Sequence, residues 1–173
     1  MIIFSWKDRR EAGKSTLASL LGGLRESQSG LLMLRGLDRQ TLGSEAWRRA
    51  VAFAPQANEN HVFSGTLAFN LLMGRRWPPR PEDYEEAESV CCELGLGALL
   101  NRMPAGLQQP IGETGWQLSY GERSRLFLAR ALLQGADFVI LNESLGALDP
   151  ETLPQVTECI RHRASTLLVI AHP

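Results

Sequence analysis

Apolar residues along the chain fall into short unbroken runs, and the stretches between them carry helical periodicity or turn-forming residues, the pattern of alternating strands and helices. Residues 2–6 form the first run and predict a buried strand. Residues 30–36, GLLMLRG, predict a strand ending in a turn, and 38–44 a connecting loop. Residues 51–54 predict the next strand, closed by Pro55. RRWPPRP, at 75–81, is too rich in proline for a helix or a central strand and predicts a loop. PEDYEEAESVCCELGL then predicts a helix with acid in its first turns, favourable for the macrodipole, and a stop at Gly95. GALLNRMPAGL predicts a second short helix and a Pro/Gly turn. LSYGE opens another helix, and the run FVIL after it predicts a buried strand ending in Asn142 and Glu143. ETLPQVTECIRHRA predicts a helix interrupted early by Pro154, and TLLVIAHP a last buried strand with His172 at its C-terminal end. Fully apolar strands alternating with helices point to an α/β fold with a mainly parallel sheet.

Composition narrows the partners more than the fold. The 173 residues are 44% hydrophobic, enough for one domain with a real core. A formal net charge of −1 removes any general electrostatic case for nucleic acid or an anionic membrane. Cys91, Cys92 and Cys159 match neither a disulfide framework nor a paired metal motif, so they read as reduced thiols. No apolar run approaches the ~20 residues of a membrane helix. MIIFSWKDRRE has too short an apolar segment, with its charges following, to be a signal peptide. The chain therefore reads as cytosolic, and a membrane partner would have to be another segment or another polypeptide.

Three stretches carry chemistry. Gly13, Lys14 and Ser15 fit the second half of the pattern Gly, four residues, Gly-Lys-Ser/Thr, whose successive backbone N–H groups close around phosphates at a helix N-terminus. The first glycine position is Asp8, however, and Glu11 stands two residues before the Gly-Lys pair. A non-glycine residue forced to positive φ costs about 1–2 kcal/mol. A carboxylate ~6 Å from a phosphate charge costs roughly 3 kcal/mol at an effective dielectric near 20. Arg9 and Arg10 stand beside these acids and offset them, or the acidic side chains point outward. In LSYGE, Ser119 suits a helix N-cap and Gly121 lets backbone N–H groups approach a phosphate closely. The third stretch places Asn142 and Glu143 at the end of a buried strand and Asp149 in the loop behind it, the way α/β nucleotide sites present their carboxylates.

In this order and spacing, AGKST, LSYGE, FVILNE and ALDP resemble the P-loop, signature turn, Walker B strand and D-loop of the nucleotide-binding domain of ATP-binding cassette (ABC) transporters, exporter type. The resemblance runs from Lys14 to His172. It implies a P-loop NTPase (RecA-like) core at 1–63 and 134–173, a mainly parallel sheet flanked by helices, with a helical signature subdomain at about 64–133. It places a short helix around 45–49. Lys14 would reach the β/γ-phosphates of ATP, Ser15 would ligate Mg²⁺, and Gly13 and Thr16 would complete the nucleotide site. Gln56 matches the Q-loop glutamine, near metal and attacking water; Glu143 the residue that polarises that water; His172 the residue that contacts the γ-phosphate. Asn142 stands where the family carries an aspartate that holds Mg²⁺ through water, which implies weakened metal binding.

The same resemblance makes Leu118, Ser119, Tyr120, Gly121, Glu122 and Asp149 a dimer interface. There the signature turn of one domain covers the ATP of its partner, homodimer or heterodimer, head to tail. Tyr120 replaces a commoner glycine and should point outward. Val62, Phe63 and Glu113 match segments that meet transmembrane domains, so the implied place is the cytoplasmic face of a membrane. Only thirteen residues precede Lys14, so the family's leading antiparallel sheet is absent or rebuilt, and the chain stops one residue after His172. Two readings stay open: an ATPase that powers export, or a degenerate copy that binds nucleotide weakly and hydrolyses little. A DNA-associated ATPase of this family is disfavoured because 17–117 holds no heptad repeats and the chain has no basic surplus.

Overall fold

The computed structural model describes residues 3–6, 13–55 and 61–170. The chain begins with β1 (Ile3–Trp6) and α1 (Lys14–Leu21), then a hairpin of β2 (Met33–Leu34) and β3 (Leu37–Asp38). Next come α2 (Arg39–Leu42), α3 (Ser44–Ala50), β4 (Val51–Ala54), β5 (Gly65–Thr66) and α4 (Leu67–Leu72). The central segment holds α5 (Pro81–Glu93), α6 (Gly97–Arg102) and β6 (Pro110–Ile111). It is followed by α7 (Tyr120–Leu133), β7 (Phe138–Asn142), α8 (Leu153–Arg163) and β8 (Thr166–Ile170).

The main sheet has the order β1-β8-β7-β4, with every pair parallel. The two-residue alternation of each strand divides its side chains between two apolar layers. Phe138, Ile140, Val51, Phe53, Leu168 and Ile170 pack with Ala18 of α1 and Trp47 of α3. Val139, Leu141, Ala52, Ala54 and Leu167 face the other way, onto α7 and α8. Burial on both faces is why these strands read as unbroken apolar runs. The second layer continues without a break into α4, α5 and α6. Ion pairs also tie α5 to α8, Arg163 reaching both Glu93 and Glu86.

Four expectations need correction. Residues 38–44 are not a plain loop, because the Asp38 carboxylate accepts from the Gln40 and Thr41 amides, both 2.9 Å, and caps α2. The strand expected over 30–36 reduces to two residues, with Arg35 (φ 53) and Gly36 (φ 79) turning a tight hairpin. Pro154 does not interrupt α8; it lies in the first turn, where its missing N–H leaves no helical bond unmade. Val62 is half-buried against the core rather than exposed, whereas Phe63 is 46% exposed, with the Arg130 guanidinium 5.8 Å from its ring centroid. The short helix around 45–49 is α3.

Candidate functional site

The first half of the site is the start of α1. Gly13 sits at φ 110, a backbone that a side chain would strain, and its carbonyl accepts from the Leu17 amide at 2.8 Å to begin the helix. Lys14, the first helical residue, is only 7% exposed. Ser15 and Thr16 follow it on the surface. The positive end of the helix dipole lies here, suited to an anion.

The second half lies at the C-terminal end of β7. Asn142 shares the parity of Phe138 and Ile140, so its side chain falls on the α1 side of the sheet. It is 2% exposed, and its Oδ1 has no hydrogen-bond partner among the described residues. Asn142, Ser15 and Thr16 line one cleft of about 840 Å³, together with Phe53 and Pro55. Glu143 then leaves the strand at φ 53, while its N–H still donates to the Ile170 carbonyl at 2.8 Å. This left-handed residue breaks the alternation of the strand, and its side chain is half-buried. The Ser144 hydroxyl donates to the Ala54 carbonyl at 3.0 Å, tying the loop after β7 to the end of β4.

Arg25, Arg48 and Arg49 also line the cleft, and sequence reasoning did not single them out. Arg48 and Arg49 end α3 and Arg25 follows α1, and nothing in the linear order marks that these two segments meet. Among the described residues, Glu45 is the one carboxylate of the lining, and it is paired with Arg49 at 2.6 Å.

The signature residues form a separate group. The Ser119 hydroxyl accepts from the Glu122 amide at 3.2 Å, and the Glu122 carboxylate accepts from the Ser119 amide at 2.8 Å. This reciprocal capping box starts α7. Burial pushes the Glu122 carboxyl up, but the Ser119 bonds and the Arg102 ion pair outweigh it and leave the group below its usual range. Tyr120 is 57% exposed and points outward as expected. Leu118 is half-buried against the core.

A side chain at Gly121 would meet nothing closer than the Ala147 carbonyl at 3.9 Å. The turn therefore lies against the loop that carries Asp149. That carboxylate accepts from the Thr152 amide at 2.9 Å, which holds it below the usual range. None of residues 118–122 lines the cleft of Ser15 and Asn142. The fold thus brings Ser15, Thr16 and Asn142 to one cleft, with Gly13 and Lys14 preceding them at the start of α1 and Glu143 following Asn142, and sets Gly121 against the loop that carries Asp149. Gln56 and His172, with Asp8 and Glu11, lie outside the described residues.

Burial pushes the Cys91 and Cys159 thiols up to about 12, which keeps them protonated and inert. No described helix is long and apolar enough to cross a membrane.

The family profile described as ABC transporter matches residues 11–146. The chain is 37% identical, over 93% of its length, to 26% of an ATP-dependent lipid A-core flippase of Nitrosococcus oceani. It is 36% identical, over 93% of its length, to 27% of the mycobactin import ATP-binding/permease protein IrtB of Mycolicibacterium thermoresistibile. An ATP-bound bacterial Atm1-family ABC exporter structure superposes with a TM-score of 0.81 at 27% identity, over 99% of this chain and 29% of that one. The chain thus spans about a quarter of the length of these relatives. With the parallel sheet, the lysine at the start of α1 and the signature turn all in place, the chain belongs to the ABC transporter family, as a nucleotide-binding P-loop domain of the exporter type.

Proposed function

We propose that the chain binds and hydrolyses ATP as the nucleotide-binding domain of an exporter. The observation that carries this is the shared cleft of Ser15, at the positive end of α1, and Asn142, at the end of the central parallel strand. In this reading the α1 amides and Lys14 hold the β/γ-phosphates, with Gly13 and Thr16 completing the cradle. Glu143 orients and polarises the attacking water. Gln56 and His172 keep the roles their positions imply, at metal and water and at the γ-phosphate. Mg²⁺ arriving with the nucleotide would bind Ser15 directly and reach Asn142 through water; bound there, it would neutralise phosphate charge. Both donors are oxygens, as Mg²⁺ requires, but both are neutral.

The signature turn acts on a second domain. A Cβ on Gly121, in the first turn of α7, would make only ordinary contacts, with the Ala147 carbonyl at 3.9 Å and the Arg125 guanidinium at 4.0 Å, so nothing among the described residues requires glycine there. A requirement imposed from outside, by a partner's nucleotide, accounts for it. Leu118, Ser119, Tyr120, Glu122 and Asp149 then line the head-to-tail interface, in a homodimer or a heterodimer. Residues 64–133 act as the helical subdomain on a core of 1–63 and 134–173. Phe63 and Glu113, both exposed, are the residues this reading turns towards transmembrane domains, with the chain at the cytoplasmic face of a membrane.

Turnover of the 173-residue chain, with and without Glu143→Gln, tests the reading. Loss of a water-activating carboxylate should reduce the rate by about 10²–10⁴-fold. An equal rate in parent and variant would remove Glu143 from the chemistry. The neutral Asn142 favours a second reading, a domain that binds nucleotide and turns it over slowly. Turnover left unchanged by Asn142→Asp but abolished by Glu143→Gln would sink that second reading.

A further inference from the structure

We propose that Ser144 is a positioning residue for hydrolysis. Its hydroxyl fixes the backbone that carries Glu143 against the end of β4, and so acts on turnover while leaving nucleotide binding alone. The inference rests on the nucleotide-site reading above, in which Glu143 polarises the attacking water.

Ser144 follows Glu143 directly and is only 4% exposed. Its hydroxyl lies among three carbonyl oxygens, those of Ala54 at 3.0 Å, Asn142 at 3.3 Å and Pro55 at 3.4 Å. A hydroxyl has one proton to donate, and Ala54, the nearest acceptor, takes it. In the sheet order β8-β7-β4, this bond reaches one neighbour of β7. The Glu143 N–H reaches the other, through the Ile170 carbonyl at 2.8 Å. Glu143, at φ 53, thus stands between a crosslink to β8 on its own amide and a crosslink to β4 on the next residue. With one crosslink gone, a left-handed residue can relax towards a less strained backbone and carry its carboxylate with it.

The two crosslinks differ in what they require. Any residue but proline can make the amide bond to Ile170. The bond to Ala54 needs a short side chain with a proton to donate, so the residue type at 144 decides whether it exists. A buried hydroxyl is costly unless it is bonded, and this bond accounts for a serine at a buried position. Pro55, which follows Ala54, lines the cleft with Ser15 and Asn142, whereas Ser144 does not line it. Ser144 therefore ties the Glu143 turn to a wall of the cleft without contributing to the phosphate cradle at the start of α1. Turnover depends on geometry more steeply than binding does, since a displacement of about 1 Å can cost on the order of 10²-fold in rate.

The test compares the 173-residue chain with Ser144→Ala in two measurements, binding of a fluorescent ATP analogue and ATP turnover per binding site. Affinity should stay within about twofold of the parent. Turnover per site should fall about tenfold. Counting per binding site removes any loss of folded protein, so a merely structural role leaves this quantity unchanged. Turnover per site within about twofold of the parent therefore overturns the inference. Affinity and turnover falling together would place the hydroxyl in binding and overturn it as well. A second arm asks what Ser144 acts through, by single-turnover hydrolysis in a Glu143→Gln background. There Ser144→Ala should cost less than about twofold further, because the carboxylate it positions is already gone. A further loss of about tenfold overturns the assignment to Glu143. A folded parent that binds no nucleotide removes the site, and one that binds without turnover removes the hydrolysis reading; either takes the inference with it. If Ser144→Ala does not fold, Ser144→Cys, whose thiol is a weak donor, replaces it with the same expected outcomes.

Discussion

Glu143 is held at φ 53, a left-handed backbone that costs a non-glycine residue about 1–2 kcal/mol. The strain persists because the Glu143 N–H is fixed to the Ile170 carbonyl and the Ser144 hydroxyl to Ala54, which leave the chain no other route. Glu143→Gly should therefore raise stability by about 1 kcal/mol while turnover is lost; chemical denaturation beside an ATPase assay reads both. A fall in stability would mean the side chain is held by contacts that outweigh its strain. Gly121 gives the opposite contrast. Alanine at this uncrowded helical position should match or exceed the parent in stability, by up to about 1 kcal/mol, and should lose ATP-dependent dimerisation, measured by light scattering. Unchanged dimerisation would return Gly121 to the role of an ordinary helix residue.

The capping box of α7 does two things, since the residues that begin the helix are also the signature turn. Ser119→Ala removes one bond of the box and should cost about 1 kcal/mol, seen as a lower denaturation midpoint. The link between α5 and α8 shows itself through pH. Hydrogen bonds from Arg163 outweigh burial and lower the Glu93 carboxyl from 4.5 to about 2. A lowered folded-state value means that the pair stabilises fully above about pH 4.5 and is lost as pH falls from there towards 2. The Glu93 side chain is 40% exposed, so solvent screening limits the pair to about 1 kcal/mol. Glu93→Gln should show a deficit of that size at neutral pH that closes between pH 4.5 and 2. A deficit constant with pH would assign the effect to packing instead.

The sheet sets where everything else stands, and β7 is its interior strand beside α1. Leu141 is fully buried within it, and Leu141→Ala should cost about 3 kcal/mol by urea denaturation, the range of a core cavity. On the surface, Leu24, Leu31, Met33 and Leu37 stand exposed, Leu31 at 69%. The isolated chain should therefore associate with rising concentration, and Leu31→Ser with Met33→Ser should reduce this in sedimentation.

Much of this layout was legible in the sequence. Runs buried on both faces announce parallel strands, and AGKST, LSYGE and the strand-end pair 142–143 announced the site, because backbone phosphate contacts and helix caps depend on local residue types. Asp38 is a cap before a four-residue helix, too short a segment for its residue pattern to stand apart from a loop. The tertiary structure alone decided the rest. It brought Asn142 and Ser15 to one cleft from distant parts of the chain and set Arg25 and the α3 pair Arg48 and Arg49 along the same cleft. It also kept the signature turn away from its own chain's cleft, against the loop that carries Asp149. Residue types and their spacing determine local conformation; which surfaces meet depends on how the layers pack, and no linear spacing records that.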